Sequence, residues 1–408
     1  MDKAPPAPPG RVRPPMLPIY ICIAVTSLGI GLVNPLIPYL LQENGANEFI
    51  IGLTTSVMFA SLVLTAWPIG RGIDRFGIRP FFALGLLCYS TAMALMPWAH
   101  RIGYFFILRA LEGVGWSAVW TAAETYVSQA SDPERRGHNM AVYGMSLATG
   151  TAMGPLIGTV LWKVSEPLPF MLAVVLALAA GALVLMIVPE PRLHHDDDHA
   201  QVGGISFSLM KPLLLPLVIA FLYGFGTLTL IALVPTLNYD EFQIGVLITV
   251  TVIANIAAQV PVGRLLDRFG YRPILLSSLS LLAGAALLST LHPPFLVLLF
   301  LGSLLGAFAG TLYPIGLTIL GSRIPPAKLG GASGLFNVCY GLGSVIGPAA
   351  TGLLMTTVGK EHNDQALFGI IGCLVFTLLV FMLLGLDRFG AENERPVSAA
   401  ETPIRPPH

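Results

Sequence analysis

Along this chain of 408 residues, apolar stretches recur twelve times, each ended by a short break containing Gly, Pro, Asn or charged residues. A helix rises 1.5 Å per residue, so about 20 apolar residues span the hydrocarbon core of a bilayer. The stretches predict membrane-crossing helices over residues 17–41, 50–70, 80–99, 103–128, 138–163 and 168–189. A second series follows over 213–237, 243–263, 274–292, 295–322, 329–358 and 365–386. The division predicts a disordered arm (1–16), a six-helix bundle (17–189), a linker (190–212), a second six-helix bundle (213–386) and a disordered tail (387–408).

The breaks are not alike in charge. Of the 22 Lys and Arg residues, 18 fall in the two ends and in alternate breaks, including Arg71, Arg75, Arg79, Arg264, Arg268 and Arg272. The intervening breaks hold only Arg101, Lys163 and Lys360, and Arg109 lies within a span. By the positive-inside rule the arm, the linker and the tail are expected in the cytoplasm, which requires an even number of crossings. A multi-pass protein of the inner or plasma membrane is therefore expected.

Composition agrees with this picture. Hydrophobic residues make up 54% and charged residues 11%, and the mean hydropathy is +0.76. Soluble domains carry about 25% charged residues. Acidic and basic residues balance at 22 each, and no basic patch alternates with aromatic residues, which argues against nucleic-acid binding. Cys22, Cys88, Cys339 and Cys373 lie inside apolar stretches without metal-ligand spacing, so neither a metal site nor a disulfide is expected. The run His194 to His199 in the linker reads as solvated charge. The proline-rich arm lacks a cleavage site after the first apolar run, so the first span is expected to remain.

The two halves repeat one another. Residues 70–80 read GRGIDRFGIRP and residues 263–273 read GRLLDRFGYRP. Asp74 and Asp267, Pro155 and Pro348, and Arg135 and Lys328 are each 193 residues apart (267 − 74, 348 − 155, 328 − 135). Six spans per half keep the two copies in the same orientation, the parallel repeat that encloses a central cavity.

The repeated hairpin resembles the signature loop of the major facilitator superfamily, and span count, repeat and loop positions extend the resemblance over nearly the whole chain. It implies an all-α membrane protein of twelve helices in two pseudo-symmetric six-helix bundles. It also implies that Gly70, Asp74, Arg75, Gly77 and Arg79, with Gly263, Asp267, Arg268, Gly270 and Arg272, form a conformational latch. Physically, Gly70 would let helices approach closely, Asp74 would face a helix N-terminus, and the arginines would meet carboxylates at helix ends. Gly150, Gly154, Pro155 and Gly158 in the fifth span are similar to the glycine-proline motif of the superfamily's drug:proton antiporters, repeated as Gly343, Gly347, Pro348 and Gly352. Glycines four apart make a flat helix face for tight packing.

The fourth span, ILRALEGVGWSAVWTAAETYV, is similar to a third motif tied in that family to proton coupling. At 100° per residue, Arg109, Glu112, Trp116, Trp120 and Glu124 fall within about one third of the helix circumference, a face expected to look into the cavity. A buried arginine needs a partner, and Glu112 lies one turn away. Either the two form a static neutral pair, or Glu112 exchanges a proton as the cavity opens alternately. Glu124 is expected to pair with Arg75 or Arg79, with proton carriage the lesser reading. Asn34 is the most polar group of the first span.

The second half has Gly302 and Leu305 where the first has Arg109 and Glu112, so coupling chemistry is expected in the first half. Asn255, Gln259, Tyr313, Asn337 and Tyr340 are candidates for ligand contact or for helix-helix hydrogen bonds. No phosphate-binding loop and no H-E-x-x-H metal pair occurs. The expectation is a cofactor-free monomeric carrier, not an enzyme, exporting small amphiphilic organic compounds against protons. The alternative is an exporter or importer of a polar metabolite such as a sugar or siderophore.

Overall fold

The computed structural model describes residues 16–131, 135–187, 210–324 and 329–384. The expected arm and tail, almost all of the linker, and Lys328 of the repeat lie outside the described residues. Among those described are thirteen α-helices: α1 (Leu17–Val33), α2 (Ile37–Glu43), α3 (Glu48–Phe76), α4 (Ile78–Leu95), α5 (Ile102–Ala130), α6 (Arg136–Val164) and α7 (Leu168–Ile187) in the first half. The second half holds α8 (Met210–Leu233), α9 (Glu241–Phe269), α10 (Tyr271–Ser289), α11 (Phe295–Arg323), α12 (Leu329–Val358) and α13 (Asn363–Leu383).

Each predicted run meets a helix, and the first is divided. Pro35 has no amide hydrogen to continue a helical ladder, and the chain breaks at Asn34 between α1 and α2. Among the described residues, eleven stretches are long and apolar enough to cross a membrane, α1 and α2 forming one of them as Leu17–Glu43. The helix α6 is as long as α3 at 29 residues. Its glycines, hydroxyl side chains and His138 make it less apolar, so this fifth predicted crossing is not among the eleven.

The repeat is visible in the packing. In the first half α1 packs on α6 and α7, α3 on α5, and α4 on α5 and α7; in the second, α8 packs on α12, α9 on α11, and α10 on α11 and α13. The helices α3 and α9 begin and end at equivalent positions. Asn47 caps α3 by accepting from the Ile50 amide at 3.0 Å, and Asp240 caps α9 in a reciprocal box with Gln243. Each helix ends at a glycine in the left-handed region, Gly77 at φ 91° and Gly270 at φ 74°. A side chain there would be strained, so the tight hairpins into α4 and α10 depend on glycine.

Contacts between the halves run along two seams, α3 against α12 and α6 against α9. Both are closed on the side away from the hairpins. There a Cβ at Gly52 would collide with the carbonyl of Pro348, and one at Gly352 with the carbonyl of Glu48. The Phe49 amide donates to Thr356 Oγ1 at 3.1 Å, Asn363 Nδ2 to Glu48 Oε1 at 3.1 Å, and the Leu156 amide to Thr249 Oγ1 at 3.2 Å. Lys163 lies 3.9 Å from Asp240. On the hairpin side the halves part: Gly70, Gly144, Gly263, Gly331 and Gly334 face open space.

The close helix approach expected at Gly70 is not made in this state, because the seam it belongs to is open at that depth. Asp74 and Asp267 are exposed and carry no ion pair with any described residue. Arg75 and Arg268 rest over the neighbouring Phe76 and Phe269 rings, at 5.2 and 5.1 Å. The hairpin carboxylates thus stand apart while the opposite side is shut, although Arg272 Nη2 donates to the Met382 carbonyl of α13 at 3.0 Å and Arg323 Nη2 to the Tyr271 hydroxyl at 2.9 Å.

Candidate substrate cavity

Between the halves lies a cavity of about 890 Å³, open toward the hairpins. Its first-half wall includes Asn34, Arg109, Trp116, Ser117, Trp120, Glu124 and Tyr143. The facing wall includes Tyr223, Asn255, Gln259, Tyr313, Asn337 and Tyr340. Asn34, Trp116, Trp120, Asn255, Gln259, Tyr313, Asn337 and Tyr340, the candidates for ligand contact, all lie on it.

The fourth span positions the charged groups. The helix α5 runs from the closed side at Ile102 toward the hairpin side at Ala130, so Arg109 lies deep and Glu124 near the mouth. Gly113 and Gly115 allow α5 to press on its neighbours, a Cβ on the first meeting the Met58 carbonyl of α3 and on the second the backbone of α4. Arg109 and Glu112 are almost fully buried and form an ion pair at 2.7 Å. Arg109 also donates to Asn34 Oδ1 at 3.3 Å, tying α5 to the break between α1 and α2. Such a pair is retained because each charge would be costly alone.

Two expectations need correction here. Glu112 does not line the cavity. At 100° per residue it falls about 60° to one side of Arg109, on the edge of the polar arc that turns into the bundle. Glu124 falls about 60° to the other side. It pairs with neither Arg75 nor Arg79, and forms no ion pair or hydrogen bond with any described residue. The parting of the halves leaves its carboxylate exposed to the cavity.

The second-half wall is neutral. Gln259 Nε2 donates to Asn255 Oδ1 at 3.1 Å along α9. Tyr223, Tyr313 and Tyr340 form a cluster, Tyr223 lying 5.7 Å from each of the others between ring centroids, with Phe336 5.4 Å from Tyr313. Tyr223 escaped the sequence reading because it sits in a continuous apolar run. Trp116 and Trp120 stack edge to face at 6.0 Å across the way. Ser27, Ser117, Tyr143 and Thr227 also line the cavity and were not expected.

The motif glycines sit apart from this cavity. A Cβ at Gly150, Gly154 or Gly158 would strike the backbone of α1, and one at Gly343 or Gly347 that of α8. Gly352 instead meets α3 across the seam.

Two repeated helical halves around a central cavity, shut on one side and open on the other, define a membrane carrier. The chain belongs to the Major Facilitator Superfamily, whose model matches residues 19–241 and 217–407. It is therefore a transporter and not an enzyme. Among curated relatives it is 24% identical over 377 residues to the uncharacterized MFS-type transporter YfkF of Bacillus subtilis, covering 90% of this chain and 94% of that protein. It is 25% identical over 398 residues to the uncharacterized MFS-type transporter YcaD of Escherichia coli, covering 95% and 98%. Among solved structures it resembles the nucleoside transporter NupG, with TM-score 0.75, 12% identity and coverage of 91% and 98%. A bacterial homolog of the human lysosomal transporter Spinster, inward-facing and occupied, gives TM-score 0.76, 15% identity and coverage of 93% and 98%.

Proposed function

We propose that this transporter exports small amphiphilic organic compounds from the cytoplasm in exchange for protons, working from the inner or plasma membrane as a monomer with both termini inside. The observation that carries the reading is the cavity itself. It is walled by indole and phenol rings and neutral amides, and opens on the arginine-rich hairpin side, which the positive-inside rule assigns to the cytoplasm. A compound entering from the cytoplasm leaves when the two seams exchange: the hairpins engage through Asp74 and Asp267, and the α3–α12 and α6–α9 contacts part. Glu112, held by Arg109 in this state, takes up a proton when the pair separates.

The test is uptake into proteoliposomes under an imposed pH gradient, with a panel of amphiphilic compounds. Glu112→Gln is expected to abolish accumulation against a gradient and to preserve downhill exchange, since the amide imitates the protonated acid. Accumulation by that variant would leave the pair static. The amides of Asn255, Gln259 and Asn337 favour a second reading, carriage of a polar metabolite, and the likeness to a nucleoside transporter fits it. Transport of sugars or nucleosides with none of the amphiphiles would decide for the second.

A further inference from the structure

Of the described residues that line the cavity, only Arg109 and Glu124 carry an acidic or basic side chain. Arg109 is neutralised by Glu112 at 2.7 Å. Glu124 has no partner among the described residues and is exposed to the cavity. Arg71, near the hairpin end of α3, holds its guanidinium over the Trp67 ring at 3.7 Å and makes no ion pair with Glu124.

The surroundings of Glu124 suit a cation. Trp120 lies one turn deeper on the same helix, and Tyr143 from α6 and Tyr313 from α11 line the same cavity. Aromatic faces attract cations through their quadrupole, and the effect grows where water is thin.

We propose that the cavity recognises monovalent organic cations, with the cationic group at Glu124 beside Trp120, Tyr143 and Tyr313. This deepens the export reading and rests on the central cavity being the substrate site, but it requires neither a direction of transport nor proton coupling. Glu124 and Tyr143 belong to one half and Tyr313 to the other, so a cation bound there also contacts both walls at the open mouth. An anion is disfavoured because Arg109 is already paired.

The test compares two ions of nearly equal size and shape, tetraphenylphosphonium and tetraphenylborate, binding to the purified full-length transporter in detergent at equilibrium. Tetraphenylphosphonium is expected to bind more tightly. Glu124→Gln is expected to weaken it about tenfold, the scale of one partly screened charge pair, leaving tetraphenylborate within twofold. Glu124→Asp should retain most of the affinity, which separates charge from fold damage. Tighter binding of tetraphenylborate, an equal loss for both ions in Glu124→Gln, or binding of neither ion would overturn the proposal. Cation binding that depends on Glu124, together with failure of pH-driven transport, would remove proton exchange and leave the cation site standing.

Discussion

Gly245 of α9 lies against Pro155 of α6 so closely that a Cβ on it would sit 2.9 Å from the proline carbonyl oxygen. The equivalent pair in the other seam, Gly52 of α3 and Pro348 of α12, makes the same approach more tightly. Both glycines and both prolines are related by the 193-residue repeat, so the closed side is sealed by one device used twice. Real Cβ atoms do not tolerate such contact with backbone, and relief requires the seam to widen.

Gly52→Val and Gly245→Val are therefore expected to disfavour the state seen here and to hold the far side ajar. Overpacking costs on the order of 1–3 kcal/mol, enough to shift a two-state balance by about tenfold or more. Spin labels placed across the seam ends should report longer distances, with thermal stability nearly unchanged. Unaltered distances would show that the seam absorbs the side chain.

How far the sequence revealed this arrangement depends on the residue. Asp74 and Asp267 announce the repeat because a charged hairpin between apolar runs has no reason to recur by chance. Arg109 and Glu112 announce a pair because hydrocarbon penalises a lone charge. The approach expected at Gly70 is absent from this state because one sequence serves two conformations, and composition does not say which side is closed. Glu124 was assigned to an arginine for the same reason. Gly52 and Gly245 stand at the offset of the repeat, yet lone glycines in apolar runs carry no distinguishing pattern. Tyr223 is a cavity residue only because of the rotation of α8, which local spacing does not encode.

Gly154 packs α6 on α1 within the first half, its Cβ position falling on the Gly31 backbone. Gly154→Leu should drive these helices apart in either conformation, unlike the seam variants. Poor folding or a lowered melting temperature is the expected result, measured on detergent-solubilised protein. Normal yield with normal transport would refute the packing assignment.

Asp74 is exposed and unpaired with any described residue while the hairpin side is open. Asp74→Asn should then leave the stability of this state and ligand affinity within a few fold, and slow turnover several-fold if the carboxylate engages only on closure. Asp267→Asn is expected to act in the same direction and more mildly. Lost affinity with normal exchange rates would place Asp74 at the ligand and not at the latch.

Arg109 is the only described cation within reach of the buried Glu112, and it also holds Asn34 at the α1–α2 break. Arg109→Ala removes both contacts and leaves Glu112 uncompensated in the bundle. Breaking a buried pair this way costs about 3–5 kcal/mol. The double variant Arg109→Ala with Glu112→Gln removes the charge as well as the partner, and should recover much of that stability because no unpaired ion remains. If the pair is only structural, the double variant should also recover pH-driven transport. If Glu112 exchanges the proton, it should regain stability and downhill exchange but not accumulation. Melting temperature and uptake measured on the same preparation distinguish the two outcomes.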